Sequence, residues 1–315
     1  MVGQDSEFRK LQVTGGSTII VSLPKEWVKS NDLKKGDVVS LEELASGDLR
    51  LSPLQGPAMK QIVSIDCCTY ETGLIDLMIG AYLSGADVIK VSCDGEISRK
   101  TRANVRDFLR DTRGMEIEHD DEKEIRIVSI LNPSELKLQV SINRMYILIS
   151  SLVRDALAVI EGEDVDLLSD IVERERQIDA RRLLLERQVA ASLQIPSVEK
   201  RLAVDRFTAM EHANIARVLE RMGDHATRLA SLVKEHSNVI KIGAEEMPLK
   251  AIPKWSKELK IIVHNMYTRD VGLIHSAKLK LAELRDDVES SESDIWTGRG
   301  SAERLLCAVS YTHLT

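Results

Sequence analysis

VERERQIDARRLLLE, residues 172–186, and VLERMGDHATRLA, residues 218–230, carry one spacing twice: Glu175 with Asp179, and Glu220 with Asp224. In an α-helix a separation of four puts both side chains of a pair on the same face. Between the two stretches lies Ile195-Pro196-Ser197, and proline breaks a helix by removing a backbone donor and crowding the preceding turn. Glu175 stands 21 residues before Pro196 and Glu220 24 after it. An antiparallel hairpin turning at Pro196 therefore sets the pairs level within about one helical turn. Four carboxylates on adjacent helices make an oxygen-rich site suited to hard or borderline cations such as magnesium, manganese or iron.

The helical wheel constrains where such an ion would sit. Glu175 and Asp179 share a side with Leu168, Ile171, Val172 and Leu185, whereas Glu220 and Asp224 oppose the apolar stripe Ile215, Leu219, Met222, Ala226 and Leu229. The ion is thus expected at the bundle surface. Spacing alone leaves a second reading open, because E-x-x-x-D also describes an ordinary wetted helix face.

Working outward, Asn132-Pro133-Ser134-Glu135 signals a helix start, and Leu138, Ile142, Met145, Ile149, Leu152, Ala156 and Val159 recur at three and four as a bundling seam. Glu161-Gly162-Glu163 ends that helix. A second helix is expected from about 164 to 193 and a third from about 198 to 236, giving three antiparallel helices. From Pro253 the sequence KELKIIVHNMYTRDVGLIHSAKLKLAELRDDVESS reads as the opening of a second such repeat. DDVESSESDIW offers its acidic helix, but no second E-R-x-G-D segment follows. TGRGSAERLLCAVSYTHLT loses periodicity, as an incomplete or foreign end does.

Residues 60–130 alternate strand and helix: QIVSID, ETGLIDLMIGAYLSG, DVIKVSC, EISRKTRANVRDFLRDT, GMEIEHD and EIRIVSI. This predicts a small α/β unit with two helices covering a sheet. Arg99, Arg102, Arg106, Arg110 and Arg113 fall at spacings of 3, 4, 4 and 3, one stripe along the second helix, with Asp107 and Asp111 beside it. Ion pairing within a solvated face accounts for the stripe better than phosphate binding. The unit has no Gly-rich phosphate loop and no Ser/His/Asp arrangement, so no chemistry is assigned to it.

The first 55 residues read as strand, loop, strand, short helix, strand, strand, punctuated by Gly15-Gly16, Gly36-Asp37 and Ser46-Gly47-Asp48. So small a module completes its core by pairing with a second copy. Although the whole chain of 315 residues carries a net charge of -7, the segment from Phe8 to Lys35 holds six basic residues against two acidic ones. Aromatics are only 3% of the chain, which favours aliphatic helix packing. No stretch approaches the roughly 20 apolar residues of a membrane span, and the start MVGQDSEFRK lacks a secretory apolar core. A cytoplasmic protein is expected. Cys67, Cys68, Cys93 and Cys307 lack paired Cys-x-x-Cys spacing, so buried thiols are expected rather than a disulfide.

Two resemblances follow from these stretches. RKLQVTGGSTIIVSLPKEWVKSNDLKKGDVVSL resembles the SpoVT/AbrB family over residues 8–52. That likeness implies hairpins interleaved between two chains into one DNA-binding β-barrel, with Arg9, Lys10, Lys25 and Lys29 facing phosphates. The helical stretches resemble the PhoU family over about 135–238, with Glu220, Arg221, Gly223, Asp224, His225 and Ala226 filling its motif and Asp205-Arg206 near the third helix's start. The resemblance implies that Glu175, Asp179, Glu220 and Asp224, with Glu173 as a neighbour, ligate an ion that is divalent or iron (Fe, Mn, Mg or Zn); His225 reads either as a further ligand or as polar helix surface. It also implies regulation of phosphate uptake through a phosphate transporter or its signalling kinase.

The expected fold is multidomain α+β: a swapped-hairpin barrel over 1–55, an α/β domain over 56–133, a PhoU-like three-helix repeat over 134–240 and an incomplete second repeat over 241–315. The expected function is a non-enzymatic, homodimeric regulator of phosphate homeostasis with no membrane insertion. Two rivals remain: a structural dimeric adaptor that does not bind DNA, and a di-metal carboxylate enzyme. The latter wants a helical E-x-x-H, and the one match, Glu116 to His119, falls in a predicted strand.

Overall fold

Gly15 and Gly16 adopt φ of 63° and 92°, a left-handed turn that side chains resist, and so close a hairpin between β1 (Gln12–Thr14) and β2 (Thr18–Ile20). A computed structural model of the chain describes residues 8–44, 46–53, 60–132, 135–238, 243, 245–290 and 304. A short helix, α1 (Lys25–Ser30), starts behind Pro24, and β3 (Val39–Glu43) pairs antiparallel with β4 (Leu49–Pro53). Across that pair Arg50 donates to Glu42 at 2.8 Å. The expected order of elements is met, with β4 running to Pro53, and 54–59 lie outside the described residues.

The chain divides into two compact units, residues 1–60 and 61–315. None of the described residues of the first is buried. Leu11, Val13, Ile19, Leu41 and Leu49 all stand more than half exposed. An isolated two-stranded hairpin is marginal in water, so these apolar faces lack the cover that burial normally gives them.

The second unit begins with a four-stranded sheet. It comprises β5 (Ile62–Asp66), β6 (Val88–Ser92), β7 (Met115–Asp120) and β8 (Glu124–Ser129) in the order β5-β6-β8-β7, with β5 and β6 parallel and the rest antiparallel. Its helices are α2 (Leu74–Leu83) and α3 (Arg99–Asp111), as expected, and their core centres on Tyr82, Phe108, Ile89 and Ile127. The helix α3 starts on the Ser98 hydroxyl, which accepts from the Thr101 amide.

The arginine stripe is shorter than its spacing suggested. Arg113 lies beyond the end of α3, after the extended Thr112. Arg110 pairs with Asp107 as expected, whereas Arg102 pairs with Asp120 and the carbonyl of Asp121, and Asp111 pairs with Arg176 at 3.2 Å.

A second correction concerns cysteine. Cys68 and Cys93 form a disulfide, with Cα atoms 5.6 Å apart, and Cys67 is the buried free thiol; Cys307 lies outside the described residues. Parallel pairing sets Asp66 opposite Ser92, so the residues that follow each strand emerge as neighbours despite a sequence separation of 25. Spacing in the sequence carries no trace of that.

The helical part comprises α4 (Leu138–Ile160), α5 (Ile171–Gln194), α6 (Pro196–Leu202), α7 (Arg206–His236), α8 (Ala251–Thr268) and α9 (Val271–Ser290). The whole seam of α4 read from the sequence is buried. Gly162, at φ 105°, ends α4 by letting the amides of Gly162 and Glu163 bond back to Val159 and Ala158. Pro133 and Ser134 of the start signal lie outside the described residues, and α4 begins only at Leu138.

Two expected helices are interrupted. Residues Val165–Leu168 form a 3-10 turn before α5. The third helix splits at Ala203, φ 54°, after which Asp205 caps α7 by accepting from the Thr208 amide at 2.9 Å. The helix α7 packs on both α4 and α5, and α8 packs on α4, where Tyr146 donates to the Ser256 carbonyl at 3.0 Å. The stretch read as a second repeat holds α8 and α9; DDVESSESDIW leaves the described residues after Ser290, and of 297–315 only Arg304 is described. No helix among the described residues is long and apolar enough to cross a membrane.

Candidate functional site

Gly223 sits in the middle of α7, where glycine costs about 1 kcal/mol relative to alanine. Its position explains the cost. A Cβ there would stand 3.2 Å from two carbons of Ile178 on α5. The missing methyl lets α7 seat against Ile178, and the next residue on each helix is acidic: Asp224 beside Gly223, Asp179 beside Ile178. Gly223→Ala is expected to leave stability nearly unchanged, since helix propensity offsets the tight contact. Gly223→Leu is expected to lose about 1–3 kcal/mol in urea unfolding, by overpacking.

Across this close approach Asp179, Glu220 and Asp224 each bring a carboxylate oxygen within 4.8 Å of the other two. Three ligands at such spacing could hold one cation. Glu175, one turn earlier on α5, lines the same cleft and feels the charge of Asp224. Three of the four carboxylates read from the sequence thus come together, and Glu175 lies along the same cleft.

Their electrostatics record the crowding. Burial, then the charges of Glu220, Asp224 and Glu175, push the Asp179 carboxyl up to about 6, against a partial lowering by Arg182. Burial also raises Glu175, with Asp224 adding to it. Glu220 is raised by burial, opposed by Arg182, whose Nε lies 3.4 Å from its carboxylate. A bound cation would relieve the same repulsion, so the donor set fits a hard divalent or ferrous ion.

The cleft is less superficial than the wheel implied. Ile79 of α2 and Asp111 of α3 wall it beside Val172, Arg176, Asp179, Arg182 and Leu183 of α5. The α/β part covers a face of the bundle, so Asp179 and Glu220 are half-buried, while Asp224 stays exposed as the wheel implied. Val172, read with the apolar side, is 64% exposed.

Two neighbours fall outside the cluster. Glu173 is exposed and engaged by Arg176 and Gln177 on its own helix, at 3.3 and 3.0 Å. His225 is half-buried and contributes no atom to the group of three. Arg182 was not singled out from the sequence; it bridges Glu186 at 3.2 Å and Glu220 across the helix pair. Its place three residues after Asp179 was a visible signal. In the first unit Arg9, Lys10, Lys25 and Lys29 are all exposed; Lys25 and Lys29 lie one turn apart on α1, and Lys29 pairs with Glu26 at 3.8 Å.

Two family models match parts of the chain. The family model described as "PhoU domain" matches residues 142–233, which include α5, most of α7 and Glu175, Asp179, Glu220 and Asp224. A second, described as "Antidote-toxin recognition MazE, bacterial antitoxin", matches residues 12–58. No curated protein and no solved structure matches the chain. The chain therefore carries a PhoU domain in its helical region and, at its N-terminus, a domain of the MazE and AbrB kind.

Proposed function

We propose that this chain is a non-enzymatic cytoplasmic regulator of phosphate uptake. Its PhoU domain holds a divalent or iron ion at Asp179, Glu220 and Asp224, with Glu175 completing the set, and conveys phosphate status to a phosphate transporter or its signalling kinase. The observation that carries this reading is the convergence of three carboxylates from α5 and α7 within the residues matched as a PhoU domain.

The test is metal content and affinity. Purified parent protein loaded with manganese or iron is expected to retain about one ion or more per chain. Glu220→Ala and Asp224→Ala are each expected to bind roughly 10–100-fold more weakly, the loss seen even for outer-shell partners of metal sites. Equal retention in parent and variants would remove the site.

The N-terminal domain pairs with that of a second chain, burying the apolar faces that one copy leaves exposed, and the pair presents Arg9, Lys10, Lys25 and Lys29 to DNA phosphates. Phosphate contacts position a protein without reading sequence, so binding should weaken steeply with salt. A gel shift at low salt is expected to show DNA retention by the parent and a reduced salt slope for Arg9→Ala with Lys10→Ala. A chain that sediments as a dimer and fails to shift DNA is instead a dimeric adaptor. The enzyme alternative is disfavoured because Glu116 and His119 lie in β7, where His119 meets Asp121 at 2.9 Å, far in sequence from the clustered carboxylates.

A further inference from the structure

At the carboxyl edge of β5 and β6 the two parallel strands release their chains side by side, and crevices at that edge are where open sheets bind ligands. The edge delivers Cys67, Cys68 and Cys93, whose sulfurs all lie within 4.8 Å of one another. Cys67 is buried and donates through its thiol to the Ser92 carbonyl at 3.2 Å. The Gly95 amide donates to the Cys93 sulfur at 3.4 Å, and Cys68 is exposed. A buried thiol and the two sulfurs of a disulfide, one half-buried and one exposed, thus converge from two strands.

Zinc–thiolate bonds of about 2.3 Å place sulfurs round one ion about 3.8–4.0 Å apart, inside the spread seen here. We infer that in the reduced chain Cys67, Cys68 and Cys93 form a three-thiolate site for one thiophilic d10 cation, zinc in the first instance, which the Cys68–Cys93 disulfide closes. A water or small anion fills the fourth zinc position. The site is independent of the carboxylate cluster, and ligand softness sorts ions between them: thiolates for zinc, oxygens for magnesium or manganese.

Closure is a two-electron step. The Cys68 and Cys93 thiolates each give up one electron to a small-molecule disulfide, which is cleaved to two thiolates as the Cys68–Cys93 bond forms. The ion is left with Cys67 alone and departs. Reduction of the bond reverses the step and restores the site.

Cobalt(II) is the probe, because only thiolate ligation gives it a sulfur-to-metal charge-transfer band; carboxylates do not. Full-length chain carrying Cys307→Ser, reduced with a phosphine, is expected to develop that band at one equivalent. Added zinc should bleach it, a small disulfide should abolish it, and renewed reduction should return it. Cys68→Ser, at an exposed position, is expected to lose the band, as is Cys67→Ala shown to be folded by far-ultraviolet circular dichroism. Glu220→Ala is expected to keep it. A reduced chain without the band, a band unchanged by either cysteine substitution, or one lost with Glu220→Ala overturns the inference.

Discussion

Asp179→Asn is expected to make the ion-free protein more stable at pH 8 while weakening manganese binding by at least about 100-fold, more than the loss of an outer-shell partner. The carboxyl is raised from 3.8 to about 6 by burial and by Glu220, Asp224 and Glu175. Between those values the native state holds a proton that the unfolded chain has released, so the contribution of this carboxyl to stability is fully present below about pH 4 and is lost as pH rises through about 6. At 1.36 kcal/mol per pH unit the full shift corresponds to about 3 kcal/mol, which solvent screening of a half-buried group reduces to about 1–2 kcal/mol. Asparagine removes that penalty above pH 6 and changes little at pH 4.

Saturating ion reverses the order. At one hundred times its dissociation constant an ion stabilises the parent by about 2.7 kcal/mol, a gain the variant lacks. Urea unfolding at pH 4 and pH 8, with and without manganese, therefore gives a crossing pattern. A variant less stable than the parent at pH 8 without ion would show that Asp179 contributes packing or hydrogen bonds instead of an unfavourable charge.

Arg187→Ala is expected to cost about 3 kcal/mol or more, the largest single loss of stability foreseen here. Arg187 is 2% exposed, and among the described residues no carboxylate forms an ion pair with it. Instead it donates to the carbonyls of Tyr82 and Ala86 at 2.6 and 2.8 Å and lies 4.8 Å over the Tyr82 ring. Tyr82 is in the last turn of α2, whose carbonyl end favours a cation. Hydrogen bonds to a charged group contribute about 1.5–3 kcal/mol each, and truncation also strands two acceptors and opens a cavity. Burial lowers the guanidinium pKa, the cost that these contacts offset.

The loss should be local as well as global. Tyr82 donates in turn to the Arg113 carbonyl at 2.9 Å, and Leu183, one turn before Arg187, belongs to the core of the α/β part. Amide exchange is expected to speed up over α2 before the α4–α7 seam opens. Arg187→Met, which keeps volume without charge, should cost less. Equal exchange rates over α2 in parent and Arg187→Ala would mean that this arginine does not bind α5 to the sheet layer.

Much of the site was legible because its determinants are local. A four-residue carboxylate spacing, a proline between two periodic runs and arms of 21 and 24 residues are properties of one dimension, and they suffice to bring Asp179, Glu220 and Asp224 together. The role of Gly223 was half legible: it fills a motif, but only the 3.2 Å approach to Ile178 shows what the absent side chain allows. The break at Ala203 left no proline or glycine to mark it, which is why α6 and α7 read as one helix.

By itself the sequence determined the element types, the helix seam, the two family resemblances and the pairing of the acidic helices, since periodicity and turn residues act over a few neighbours. Tertiary structure alone decided that α5 serves two cores at once, that the α/β layer walls the cleft in which Asp179 and Glu220 are half-buried, and that Cys68 meets Cys93. Those outcomes depend on which faces come together after long crossovers. Burial and charge proximity are set by that packing, and no spacing along the chain encodes them.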